Sequence, residues 1–256
     1  MPHAAPAFSF EGQTALVIGG TSGIGKAIAH GFLDAGARVV VAGRDAAKLE
    51  RAVRELRAVG DAHGHRADVS HLEELRGLVS ATIAGHKAID VLVNCQGVIR
   101  LKAAEEFAPE DWDEIVQINL RSVFFACIEA GKPMLERGRG SIINIASLAS
   151  FRGWQRSALY AISKAGVMSL TQTLGAEWAP RGVRVNGIAP GFVMTDLNRD
   201  KMSAERKALA LARTPMGRFG ETTDMVGAAL FLASDAAAYV TGETIRVDGG
   251  FLAAGL

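Results

Sequence analysis

Residues 14–25 read TALVIGGTSGIG. The first five, Thr14–Ile18, are an unbroken run of strand type. A strand without polar alternation is covered on both faces. Glycines then fall at Gly19, Gly20, Gly23 and Gly25. Directly after them Ile24, Ala27, Ile28, Phe32 and Leu33 recur at helical spacing until Gly36 closes the run. A glycine turn between a strand and a helix lets backbone come close to a pyrophosphate. The helix behind it offers unpaired N–H groups and the positive end of its dipole. The spacing is G-x-x-x-G-x-G rather than G-x-G-x-x-G. It is not a P-loop either, because Lys26 is followed by Ala27 instead of Ser or Thr.

Working outward, the same alternation repeats. Strand-type runs lie at Arg38–Ala42, His63–Ala67, Val91–Val93, Ser141–Ile145, Arg184–Ile188 and Glu243–Val247. Helical spacing marks Ala46–Val59, His71–Ala84, Pro109–Leu135, Leu159–Trp178 and Thr222–Ala233. This pattern predicts an α/β fold: a single-domain, Rossmann-type, doubly wound parallel sheet of seven strands with helices on both faces. No linker or repeat divides residues 11–256, and residues 1–10 read as a loose arm. The stretch Thr195–Pro215 lacks strand signals and reads as a mobile insertion over a ligand site.

Composition narrows the function classes. The chain has 256 residues, 49% of them hydrophobic, with 28 Lys and Arg against 27 Asp and Glu. So even a balance argues against a nucleic-acid partner, and so apolar a chain is not disordered. Two cysteines, Cys95 and Cys127, cannot build a disulfide framework and read as reduced core thiols. The six histidines form no ligand cluster, so no metal is expected. No apolar run reaches membrane-spanning length, and no basic and apolar leader opens the chain. The expectation is a cytoplasmic enzyme or binding protein without a membrane partner.

Tyr160 and Lys164 stand four residues apart within a helical stretch, and so share a face. Moving a hydride between a cofactor and an alcohol or ketone also moves a proton, which needs a group titrating near neutrality. A positive charge about 4 Å from a phenol, at an effective dielectric of about 20, is worth roughly 4 kcal/mol, or about three pKa units. The expectation is that Lys164 brings Tyr160 near neutrality.

Taken together, G-x-x-x-G-I-G after a first strand and Y-x-x-x-K resemble the short-chain dehydrogenase/reductase family, from about Gln13 to Gly250. The resemblance implies a single-domain NAD- or NADP-dependent oxidoreductase acting on a small-molecule substrate. It places Ser147, 13 residues before Tyr160, as the serine that holds the substrate oxygen. It places Asn119 as support for a proton relay, and Lys164 on the nicotinamide ribose. It assigns cofactor contacts to Gly19, Thr21, Ser22, Gly23, Ile24, Gly25, Asp68, Val69, Asn94, Gly97, Tyr160, Lys164, Pro190, Gly191, Val193 and Thr195. Two departures from the family pattern are Ile18, where Thr is usual, and Gln96, where a small residue is usual. At the end of the second strand an acid would favour NAD. Gly43 stands there, followed by Arg44, whose guanidinium suits a 2′-phosphate. NADP is therefore expected ahead of NAD.

For the substrate, Ser147 orients the oxygen, while Arg152 and Arg156 are candidates for a carboxylate and Trp154 for an apolar or sugar face. Val98-Ile99-Arg100, Ile142–Ser147, Glu177-Trp178-Ala179 and Arg213–Arg218 resemble the gluconate 5-dehydrogenase and 2-deoxygluconate 3-dehydrogenase branch. That implies a polyol or sugar acid. A 3-oxoacyl-thioester reductase is the alternative enzyme, and a dinucleotide-binding sensor or scaffold the alternative without turnover. Relatives commonly form homotetramers, for which Phe124, Phe125, Val167 and Met168 are candidate contacts.

Overall fold

The computed structural model describes residues 8–195 and 203–254. Seven parallel strands form one sheet: β1 (Thr14–Ile18), β2 (Arg38–Gly43), β3 (Ala62–Arg66), β4 (Val91–Asn94), β5 (Gly140–Ile145), β6 (Val183–Pro190) and β7 (Thr244–Val247). Their order is β3-β2-β1-β4-β5-β6-β7. The chain winds one way from β1 to β3, returns to lay β4 against the other side of β1, and continues to β7. Connections leaving β1 and β4 therefore part in opposite directions, which opens a crevice beyond their carboxyl ends.

The pleat explains why the strands are apolar at consecutive positions. Ala15, Val17, Val39, Val41, Val91 and Val93 point into one core, with Ile28, Phe32, Leu49 and Leu56 of helices α1 (Gly23–Asp34) and α2 (Ala46–Arg57). Leu16, Ile18, Val40, Ala42, Leu92 and Ile142 point into the other. There they meet Leu78 of α3 (Leu72–His86), Met134 of α5 (Ser122–Arg137) and Val167 of α6 (Ala158–Trp178). With side chains alternating along a strand, burial on both faces requires this unbroken apolar run.

Three local features differ from the expected elements. The long helical run from Pro109 divides into α4 (Pro109–Val116), a π-helical turn (Gln117–Arg121) and α5. Periodicity cannot reveal such a one-residue widening, which is often found at functional sites. Phe10 belongs to the core rather than to a loose arm; it is 1% exposed and meets Phe32 edge-on at 5.0 Å between ring centres. Part of the expected insertion Thr195–Pro215 lies outside the described residues, but Ala204–Ala212 is a helix, α7, started by Ser203, whose Oγ accepts from the Arg206 amide at 3.3 Å. The last helix, α8 (Val226–Ala233), packs against the same core as α1. Among the described residues no helix is long and apolar enough to cross a membrane.

Candidate active site

The crevice is built from glycine. Gly19 has φ +78°, and a β-carbon added to it would lie 2.8 Å from the carbonyl carbon of Cys95 at the end of β4. One added to Gly25 would lie 2.3 Å from the Gly19 carbonyl oxygen. Neither position admits a side chain. Ser22 begins α1 without a side-chain cap, so amides of the first turn face the crevice without a serine oxygen. The turn does not need threonine at position 18. Its backbone secures it: Cys95 N donates to the Ile18 carbonyl at 2.9 Å and Gly19 N to that of Ala42 at 3.0 Å, while the Ile18 side chain fills the core. Thr195 closes over the turn, its Cγ2 lying 3.5 Å from the open β-position of Gly23. Thr195 thus meets the glycine turn, and Pro190, Gly191 and Val193 lie between it and the body of β6. Val193 is tied there by a bridge to Gly220, and Gly191 N donates to the Val247 carbonyl at 2.9 Å.

At one end of the crevice stand Thr21, Gly43, Arg44, Asp68 and Val69. A β-carbon on Gly43 would lie 2.7 Å from Thr21 Cγ2, so an acid at the position that would hold a ribose requires Thr21 to shift. Arg66 is in register with Gly43 across the β2–β3 pair, and its Nε donates to the Arg44 carbonyl at 3.1 Å. A second guanidinium thus accompanies Arg44, which the reading of the sequence had missed. Its only signal was its place at the end of the third strand run. Burial raises the Asp68 carboxyl, but hydrogen bonds from Ser70 and the charge of Arg44 outweigh it and hold the group below its ordinary range.

At the other end α6 carries Tyr160 and Lys164, and Ser147 follows β5. Lys164 is 4% exposed, and its Nζ donates to the Ile145 carbonyl at 2.6 Å. Asn119 sits in the π turn, fully buried. Its Oδ1 accepts from Val98 N at 2.8 Å, and its Nδ2 donates to the Val98 carbonyl at 2.9 Å and to Ser163 Oγ at 3.1 Å. A β-carbon on Gly97 would lie 3.5 Å from Asn119 Oδ1 and 3.7 Å from Lys164 Nζ. Glycine there brings backbone, amide and ammonium into one small space. Asn94 stays in the core beneath, donating to Asn144 Oδ1 at 2.9 Å. Gln96 is buried as well; its Nε2 reaches Ser122 Oγ at 3.2 Å, while its Oε1 finds no partner.

The expectation for the Tyr160 phenol is overturned in this structure. Burial pushes it above its ordinary value, against the pull of a hydrogen bond from Ser147. Lys164 Nζ lies 6.0 Å from the ring centre and donates to the Ile145 carbonyl. Desolvation also lowers the lysine itself to about 8. Burial penalises both charged forms at once, and the simple pairwise sum had left that out. Beside them Cys95 is pushed up to about 11 by burial, so it stays a thiol at neutral pH.

Ser147 and Tyr160 open onto a cavity of about 330 Å³ that also takes in Leu101, Trp154, Phe192, Arg100 and Arg206. Trp154 stacks edge-on with Phe192 at 5.6 Å and tilts over Phe251 at 5.5 Å. Arg152 and Arg156 are exposed and do not line this cavity. The cations at its wall come instead from Arg100 and from α7.

A strand-end glycine cradle, paired arginines at one end and a Ser-Tyr-Lys group at the other fit a dinucleotide and a small alcohol or ketone. Comparison with known proteins agrees. Residues 19–252 match the family model described as enoyl-(acyl carrier protein) reductase. The 2-dehydro-3-deoxy-D-gluconate 5-dehydrogenase of Escherichia coli (strain K12) is 40% identical over 251 residues, covering 96% of this chain and 98% of that one. The chain is a short-chain dehydrogenase/reductase. The D-threitol dehydrogenase of Mycolicibacterium smegmatis is also 40% identical, over 95% of this chain and 94% of that protein. The crystal structure of a gluconate 5-dehydrogenase from Burkholderia cenocepacia, in complex with NADP and tartrate, superimposes with a TM-score of 0.93 at 37% identity, over 97% of this chain and 98% of that one. As a short-chain dehydrogenase/reductase, the protein is an NAD(P)-dependent oxidoreductase acting on CH–OH groups.

The buried lysine has a measurable consequence for stability. Lys164 titrates near 8 when folded and near its ordinary 10.5 when unfolded. Between those values the unfolded chain holds a proton that the folded chain lacks, so this group makes stability rise with pH across that window. Cys95 and Cys127 act oppositely: raised from 9.0 to about 11 and about 12, they lose stability as pH climbs past 9. Urea unfolding of cofactor-free wild type and Lys164→Met isolates the lysine. The wild type should gain on the variant between pH 7 and pH 10; a constant difference between them would contradict the assignment.

Proposed function

We propose that this protein oxidises a secondary alcohol of a sugar acid or polyol, or reduces the corresponding ketone, with NADP as its preferred dinucleotide. The observation carrying this reading is the convergence of Ser147 and Tyr160 on one cavity, with Lys164 behind them and arginine in its wall. The names of the relatives support the substrate class.

Arg44 and Arg66 would hold a 2′-phosphate, with Asp68 and Val69 beside the adenosine. The turn Gly19, Thr21, Ser22, Gly23, Ile24 and Gly25 would hold the pyrophosphate. Gly97, Pro190, Gly191, Val193 and Thr195 would line the nicotinamide half, whereas Asn94, expected there too, is buried beneath and braces the strand ends through Asn144. When bound, the nicotinamide supplies or accepts the hydride. Tyr160 takes the hydroxyl proton in oxidation and returns it in reduction. Its phenol starts above its ordinary value, so deprotonation depends on charge brought near it, and Lys164 is the cation placed to act. Ser147 holds the substrate oxygen beside the phenol, and the Asn119 turn leads protons toward Lys164. A second reading, reduction of the keto group of a 3-oxoacyl thioester, is favoured by a relative named 3-oxoacyl-[acyl-carrier-protein] reductase, 38% identical over 93% of this chain.

Self-association belongs to the same proposal. Trp112 of α4, Phe124 of α5 and Ile162 of α6 are 46%, 40% and 49% exposed, whereas Val167 is core. Exposed large apolar side chains on adjacent helices suit an interface between copies.

Four measurements test these statements. Tyr160→Phe should lower kcat by at least about a thousandfold while NADP affinity by fluorescence titration holds; persistent turnover would refute the proton role. Arg44→Ala should raise the NADP KM by about tenfold or more and leave NAD little changed, the scale of a lost charged hydrogen bond. Light scattering should give a mass above the monomer that falls in Phe124→Glu. Initial rates with gluconate and NADP, set against acetoacetyl-CoA and NADPH, separate the two substrate readings.

A further inference from the structure

The cavity beside Tyr160 carries an unbalanced charge. Its described lining residues include no aspartate or glutamate. They include two arginines, and these differ in what they already hold. Arg100 is committed: its Nε and one terminal nitrogen grip Glu114 at 3.1 and 2.9 Å, a bidentate pair that neutralises it. Arg206 takes part in none of the ion pairs among the described residues; its backbone amide donates to Ser203 Oγ at 3.3 Å. It is partly buried against the cavity. It also sits in the first turn of α7, the positive end of the helix dipole, where a cation is disfavoured on local grounds. Most of the remaining wall is apolar, from Ile99, Leu101, Trp154 and Phe192. A guanidinium in such a wall, without a counter-ion among the described residues and against its helix dipole, is matched by an anionic ligand group.

We infer that Arg206 binds the carboxylate of the substrate and sets the preference for sugar acids over neutral polyols. The inference rests on the sugar-acid reading above and goes beyond it by naming the residue. Arg152 and Arg156, the arginines nearest Ser147 in sequence, are displaced from this role because the loop that carries them turns them outward. Arg206 reaches the cavity from the far side of the chain.

The test compares wild type, Arg206→Gln, Arg206→Lys and Arg213→Gln, the last an exposed arginine at the other end of α7 and outside the cavity. Each is assayed with NADP on gluconate and on its neutral counterpart glucitol. Arg206→Gln should reduce the gluconate-to-glucitol ratio of kcat/KM at least tenfold, mainly through the gluconate KM. Arg206→Lys should fall between, and Arg213→Gln should keep the wild-type ratio. Tartrate, used as an inhibitor of glucitol oxidation, should bind at least tenfold more weakly to Arg206→Gln. Melting temperature and NADP affinity confirm that the variants fold. If wild type oxidises gluconate and Arg206→Gln keeps both the ratio and the tartrate affinity, the carboxylate role is overturned and the sugar-acid reading stands. If wild type turns over glucitol or acetoacetyl-CoA but no sugar acid, both fall together.

Discussion

Between β1 and β4 the backbone leaves no space for side chains. Gly19 presses on the carbonyl of Cys95, and Gly25 presses on Gly19. This contact lets helix α1 start immediately at the sheet edge, with amides of its first turn directed into the crevice. It also sits where the winding of the sheet reverses, so the two halves separate at that point. A larger residue at Gly25 would lift the helix away from the strand, and the crevice would lose its floor. The remainder of the site is arranged around this close approach, with the arginine pair at one end and α6 at the other.

The reacting end is held by buried polar groups rather than by apolar packing. Asn119 uses both of its amide atoms, and does so from a π turn that lies between two ordinary helices. Lys164 gives one of its protons to a carbonyl at the end of β5. Burying an ammonium without a carboxylate is unfavourable, and the depressed lysine reports that cost. Such an arrangement persists because the Asn119 amide and the Lys164 ammonium each keep a hydrogen-bond partner. Its value is chemical: burial moves the phenol up and the ammonium down, so a charged ligand that alters the local field acts on both groups.

Charge divides the site by purpose. Arg44 and Arg66 stand where strands end, in positions set by sheet register. Arg206 stands on a helix that is not part of the sheet's repeating pattern. The cradle and the Ser-Tyr-Lys group belong to the invariant geometry of the doubly wound sheet, whereas the substrate wall is assembled from connections that can change without disturbing it.

Strands, helices and the glycine turn were legible in the linear chain because each depends on neighbours a few positions away. TALVI had to be buried on both faces, and a tyrosine and lysine four apart had to share a helix face. The pattern of consecutive apolar strands was enough to imply parallel pairing and helices on both sides. Other properties depend on residues far apart in sequence. Arg66 joined Arg44 only through β2–β3 register, and Phe10 left its arm only because Phe32 offered it a ring. The Tyr160 phenol moved opposite to expectation because burial acts through everything that surrounds a group, which spacing along one helix does not contain. Arg206 replaced Arg152 and Arg156 at the cavity for the same reason: a wall is closed by whatever elements converge on it, and convergence is a property of packed layers rather than of sequence distance.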